Sequence, residues 1–414
     1  MKLTFDTVQK LSRESAEPSW LLHQRQDAWN LFEKTPLPTT KEEEWKYTDI
    51  RAFSFLDFEL NSFEASSVPS LSSELKAKGV ILCDLKTALK EYNSLVFPLL
   101  HETKKEAHSK FESLHQALWH GGIFLYVPKG VVITEPIHVV TRLSAPNSVI
   151  FPFTLVLVEE QAKVSLIDEM ISIGHSEGKQ FSNGFRYLWV KEGAELQYVN
   201  IQSWGPGVSH FETQLTHVEK DAKFQNIHVG LGSGLTKSNV HTILRGTGGQ
   251  ANLLGVFFGN QKQHFDVFTT QEHRESETQS DLLFKSALKD FAQSNYQGII
   301  RIPKEAQRSD AYQANKNLLL SPDAKARSIP KLEIIADDVR CTHSATMGTI
   351  DENELFYLES RGLSPEDAQK TIIEGFFEQV VIRIPSREIQ ERLRQRVTEK
   401  LSHPERSEGS QKEG

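Results

Sequence analysis

From Gly121 to about Met347, short apolar runs alternate with polar ones, and one local pattern keeps returning: two apolar residues, a charged turn, a Gly or Ala, then an alternating strand. It reads Tyr126-Val127-Pro128-Lys129-Gly130-Val131, then Leu157-Val158-Glu159-Glu160-Gln161-Ala162-Lys163-Val164. It returns as Trp189-Val190-Lys191-Glu192-Gly193-Ala194-Glu195-Leu196 and His217-Val218-Glu219-Lys220-Asp221-Ala222-Lys223-Phe224. The Gly or Ala falls at 130, 162, 194 and 222, with weaker echoes near Gly249, Ala292 and Ala324. Alternation with period two predicts strands. A long run of strands on a coarse internal period, with no amphipathic helices between them, predicts a β-solenoid in which each coil stacks on the last. A large β-sandwich is the competing arrangement.

The flanks read differently. Leu21, Leu22, Ala28, Trp29, Leu31 and Phe32 stand at helical spacing before the break Thr35-Pro36-Leu37-Pro38. A Ser-rich stretch over 61–73 reads as a loop, followed by a strand over 80–83 and a helix over 106–119. Residues 1–120 therefore predict a helical and mixed domain ahead of the β core at 121–347. Past Gly348 the pattern turns helical: Asp351 and Glu354 form a candidate capping box for a helix over 353–360, ending at Gly362. Ser364 and Pro365 open a second helix, whose Ala368, Ile372, Ile373, Phe376, Phe377, Val380 and Val381 make a broad apolar stripe. Pro385 breaks it, and Ser386 opens a third through Ile389, Leu393, Val397 and Leu401. The stripe is core by default, and a helical appendage at 348–402 on a β body is also a natural docking surface. The tail at 403–414 has almost nothing to bury and is expected to be disordered.

A chain of 414 residues, 38% hydrophobic and 25% charged, has room for two or three folded units of ordinary globular composition. A net charge of −8 argues against a general nucleic-acid binder. The first twenty residues carry no apolar signal core, and the longest apolar runs are too short to span a bilayer, so the expected location is the cytoplasm, off the membrane. Cys83 and Cys341 are the two cysteines, too few for a disulfide framework or a CxxC metal site.

Candidate chemistry centres on Asp337-Asp338-Val339-Arg340-Cys341-Thr342-His343-Ser344-Ala345-Thr346. Alternate residues of a strand share a face, so Cys341 and His343 would point the same way and offer two ligands to one metal ion. Two ligands cannot close a tetrahedral site, and the rest must come from elsewhere. The plainer reading makes Cys341 a small buried hydrophobe and His343 a hydrogen-bonded strand residue. His264-Phe265-Asp266 with His273 reads as solvated turn residues ahead of a metal site. The glycines from Gly230 to Gly234 lack the GxxxxGK[ST] spacing, so ATP hydrolysis is not expected, and no GxSxG elbow or HExxH is present.

These residues carry a resemblance. Cys341 to Thr346, then Leu355-Phe356-Tyr357-Leu358-Glu359-Ser360-Arg361-Gly362, then Gly375-Phe376, resemble the C-terminal signature of the SufB/SufD family of iron–sulfur cluster assembly scaffolds, and the CTHxAT plus FYLxSRG form is closer to the SufD branch than to SufB. Asp310 to Ser321, Ile329 to Ile334 and Glu44-Trp45-Lys46-Tyr47-Thr48 match as well, while Ser344 stands where the family usually has Gly. The resemblance implies a right-handed parallel β-helix core with helical ends, and a scaffold subunit that performs no catalysis. It implies a heterodimer with SufB through the β-helix and docking of the ABC-type ATPase SufC on the C-terminal helices. A transient iron–sulfur cluster would form at the interface, shared with SufB, with no tightly bound cofactor; self-pairing without SufB is left open. His343 matches the family's important histidine, and Cys341 its neighbouring cysteine. The competing class is an enzyme on a β-solenoid, such as a polysaccharide lyase, usually an exported protein.

Overall fold

Each repeat of the sequence forms one coil of two strands, which go to opposite sheets. In the computed structural model, which describes residues 2–60, 68–106, 109–173 and 178–402, Lys163–Ser172 enters an eight-stranded sheet, Gln180–Val190 an eleven-stranded one, and Glu195–Ser203 returns to the first. Strands two apart in sequence pair in parallel, so the chain winds a flattened parallel β-solenoid with helices at both ends of the sequence. The register is strict. Lys163, Glu195, Lys223, Gln250, Gln279, Asp310 and Arg340 stack as one outward column of the smaller sheet. Coil length varies from coil to coil while the columns stay aligned, because the turns absorb the difference.

Those turns explain the repeat. The bend into the smaller sheet uses a left-handed residue in coil after coil: Gly130, Gln161, Gly193, Asp221 and Gly248 all have positive φ. Glycine adopts this freely, and the small residue that follows lets the next coil close on it. The echoes at Ala292 and Ala324 belong to the opposite turns, since they precede Gln293–Ile302 and Lys325–Ile334 of the larger sheet.

Both outer faces are partly covered. Over the larger sheet lie the helices Ser19–Lys34 and Lys110–Leu118, whose Leu21, Ala28, Trp29, Phe111 and Leu114 join Phe181, Phe185, Phe211 and Leu215 of the strands in one buried cluster. A helix not expected from the sequence, Asn93–Glu106, comes first, and Lys110–Leu118 fills the helix expected over 106–119. Ser109 and Glu112 form a capping box, which gives the second its own start. Over the smaller sheet lie Pro365–Val381 and Arg387–Ser402. Their Ile373, Phe377, Val380, Ile389, Leu393 and Val397 pack on Val199, Ile201, Ile227, Val229 and Val256. The expected stripe is thus core, and burying each such side chain is worth about 1.5–3 kcal/mol. Ser364 caps the first of these helices with Pro365 at its first turn, as expected from the sequence. Before it, Asp351 caps Glu352–Ser360 through the Asn353 N–H, and Gly362 ends it at φ +99°. The expected loop over 61–73 lies partly outside the described residues, and its end, Ser73, starts the helix Ser73–Ala77.

Candidate functional site

The last coil consists of Lys325–Ile334 and Arg340–Thr349, and among the described residues each of these strands has a pairing neighbour on one side only. Residues on its inward columns therefore meet open space where inner coils meet another layer. His343 continues the column Tyr198, Asn226, Leu253, Leu282 and Gln313, all of which are buried. His343 itself is exposed, and it makes no hydrogen bond or ion pair among the described residues. Cys341 extends the parallel column Phe224, Ala251, Ser280 and Ala311 and is half-buried against Ile300, Ile302 and Ala336.

The two side chains share the inward face and differ in chemistry. Burial first, and the Asp310 carboxylate second, push the Cys341 thiol up to about 11. It is a thiol at neutral pH, so a metal ion binding there must displace a proton. Ser344 causes no backbone strain, since it is not among the positive-φ residues and its hydroxyl lies 3.1 Å from the Tyr312 hydroxyl on the outward face. Among the described residues, no three His, Cys, Asp or Glu side chains are placed to hold a metal ion.

Apolar side chains also lie open on this coil. Leu332, Ile334, Ile335 and Met347 are exposed on or beside it, and Phe356 and Tyr357 are 71% and 61% exposed on the adjoining helix. Exposed apolar side chains next to two unpaired strand edges form a surface that can accept another chain.

The remaining candidates separate. His264 and Asp266 face outward from the larger sheet, where Asp266 pairs with Lys237 at 3.0 Å. His273 faces inward, with Thr278 and Ser280 hydroxyls each 2.8 Å from its ring nitrogens. Gly232 sits where a Cβ would lie 2.2 Å from the Trp204 carbonyl oxygen, so it serves a tight turn. Cys83 lies on Ile81–Asp84, at the opposite end of the larger sheet from the last coil.

Sequence reasoning missed a strap. Residues 43–48 cross the outer face of the larger sheet: Lys237 Nζ bonds the Glu44 carbonyl, Thr48 bonds Asp266, Gln297 bonds the Glu43 carbonyl, and Lys331 pairs with Glu43. Trp45 is buried between Phe111 and Phe211. Its partners lie far away in sequence, and the one available signal was the motif Glu44 to Thr48 itself.

Among the described residues no helix is long and apolar enough to cross a membrane. The family described as "SUF system FeS cluster assembly, SufBD core domain" matches residues 141–376, and "SufBD protein N-terminal region" matches 3–70 and 67–139. A Staphylococcus epidermidis protein named "Iron-sulfur cluster assembly SufBD family protein" is 27% identical over 418 residues, covering 92% of this chain and 90% of its own length. The Bacillus subtilis "Iron-sulfur cluster assembly protein SufB" is similar to the same extent, at 27% identity with 92% and 90% coverage. The turn-for-turn solenoid, its helical ends and these matches together show that the chain belongs to the SufBD family of iron–sulfur cluster assembly proteins.

Proposed function

We propose that this chain acts as the SufD-type scaffold subunit of a complex with SufB and the ATPase SufC, performs no catalysis of its own, and works in the cytoplasm. The observation that carries the reading is the position of His343: an imidazole on an inward column, left uncovered because no further coil stacks on it. A SufB chain that joins the open edges of Lys325–Ile334 and Arg340–Thr349 would complete the site. Its thiolate or carboxylate groups would add the ligands missing beside His343, and the exposed apolar residues would be buried in the joint. Cys341 stands beside them as a second ligand once its proton leaves.

The growing cluster is the cargo of such a site, and a site shared between two chains can release it when they separate. The helix with Phe356 and Tyr357 and the two helices after it would receive SufC. ATP-driven closure of SufC would then move these helices and the adjoining last coil as a rigid body.

The test is iron and acid-labile sulfide in the anaerobically purified complex, co-expressed with cognate SufB and SufC, for wild type and His343→Ala. Loss of cluster from an intact complex supports the reading. Unchanged cluster content removes the role of His343 and leaves the chain a structural arm. Failure of SufB and SufC to co-purify with the wild type would overturn the partner assignment.

A further inference from the structure

Deep inside the solenoid, on strands next to its N-terminally covered end, lies a charged layer. Arg186 is fully buried, 2.5 Å from Glu212 and 3.4 Å from Asp168. Asp168 accepts from the Tyr198 hydroxyl at 2.7 Å and the Thr154 hydroxyl at 2.8 Å. Glu212 accepts from Ser238 at 2.7 Å and from the Asn200 amide at 3.1 Å. Burial pushes the Glu212 carboxyl up, but Arg186, His228 and His210 outweigh it and hold the group well below the usual range. Two imidazoles flank Glu212, His228 Nε2 at 2.9 Å and His210 Nε2 at 3.2 Å, neither aligned for a hydrogen bond. His210 accepts the Trp204 indole N–H at Nδ1, 3.2 Å away. The layer sets one guanidinium against two carboxylates, with the His228 imidazole beside Glu212.

The adjoining layer lacks hydrogen-bond partners. Glu212 faces His228 across the coil; two residues on in one strand and two back in the other, Gln214 and Asn226 occupy the same layer. Asn200 is in register with His228 on the neighbouring strand. Gln214 Oε1, Asn200 Oδ1, both amide atoms of Asn226 and His228 Nδ1 have no partner, although all four residues are 0–1% exposed. The Gln214 amide nitrogen already donates to Thr216 and that of Asn200 to Glu212, so what these two leave free is carbonyl oxygen. Each unpartnered buried polar group costs about 1–3 kcal/mol. Toward the last coil the layer is closed by the Phe257 ring, 5.4 Å from His228, with Phe284 and Tyr296 beyond it.

We propose that this layer binds a monovalent cation of ammonium or potassium size, held by the side-chain oxygens of Asn200, Gln214 and Asn226 with His228 Nδ1 beside them. Uncharged oxygens suit a weakly polarising ion, and in the neighbouring layer carboxylates outnumber the guanidinium two to one. The bound ion would staple two successive coils, that of Asn200 and that of Glu212 and Asn226, without touching the last one.

Two experiments on the full chain decide this. Melting is followed in potassium, ammonium and choline chloride at equal ionic strength, and crystals are soaked in thallium acetate for anomalous scattering. The expected results are a melting temperature about 3 °C or more higher in potassium than in choline, and a thallium peak between Asn200 and Asn226. Glu212→Gln, which removes one of the two carboxylates beside the site, should abolish the potassium dependence. If that variant fails to fold, Asn226→Leu should abolish it by removing a ligand. Cation-independent melting with no thallium peak overturns the proposal, and the layer is then filled by water or its charge balanced by a proton on an imidazole.

Discussion

The two ends of the solenoid are built from the same repeat and differ in what stacks on them. Next to the N-terminal helices the larger sheet is covered: Ile81–Asp84 pairs antiparallel along its edge, aromatic side chains pack its outer face, and even the charges of Arg186, Asp168 and Glu212 are buried and paired. At the other end the columns run out. The column position that holds Asn226 and Gln313 in the interior holds His343 in the open. The difference teaches that the candidate site arises because the stack ends there, since no local turn or motif geometry sets Cys341 and His343 apart from their buried counterparts. Termination turns a core position into a ligand position.

Breaking the covered end should have the largest effect. Arg186→Leu leaves two carboxylates buried together, and stability should fall by about 3–5 kcal/mol, visible as an early thermal transition; adding Glu212→Gln should restore part of it. Phe377→Ala should cost about 3–5 kcal/mol of local stability and raise hydrogen exchange in Arg387–Ser402 more than in the strands.

A smaller effect is set by pH. Burial holds His115 and His217 down to about 3 and His273 to about 4, so all three are neutral in the fold. Their unfolded pKa is about 6.5. The unfolded chain therefore takes up protons that the folded chain refuses, and stability falls as pH drops below about 6.5, by up to about 1.4 kcal/mol per unit for each histidine. Urea unfolding between pH 7.5 and 5 should show this slope, and His115→Gln, which keeps a donor for the Pro152 carbonyl, should flatten it. The smallest effect is expected at the open end, where His343→Ala should leave stability within about 0.5 kcal/mol of wild type. A large loss there would mean that His343 is structural, and the contrast between the ends would fail.

The solenoid was legible because its turns repeat a chemical demand, a left-handed residue and then a small one, which survives changes in coil length. The C-terminal helices were legible from caps and stripe. The inner ionic layer was not: alternation reads His210, Glu212 and Gln214 as a solvated face, since a strand covered on both sides by its own fold looks like one half in water. The strap was hidden because residues 43–48 have no period and bond to strands about two to three hundred positions away. Spacing alone placed Cys341 and His343 on one face, but it could not say that the face was open, because that depends on there being no later strand to pair with Arg340–Thr349.

The strap has one more consequence, for a chain emerging from the ribosome. Glu43 waits for Gln297 and Lys331, and Thr48 for Asp266, so the N-terminal segment cannot settle into place until most of the protein has been made. Trp45 can meet Phe111 and Phe211 as soon as those elements exist, but the polar ties of the strap form last, so a truncation late in the message leaves the segment untied on its far side.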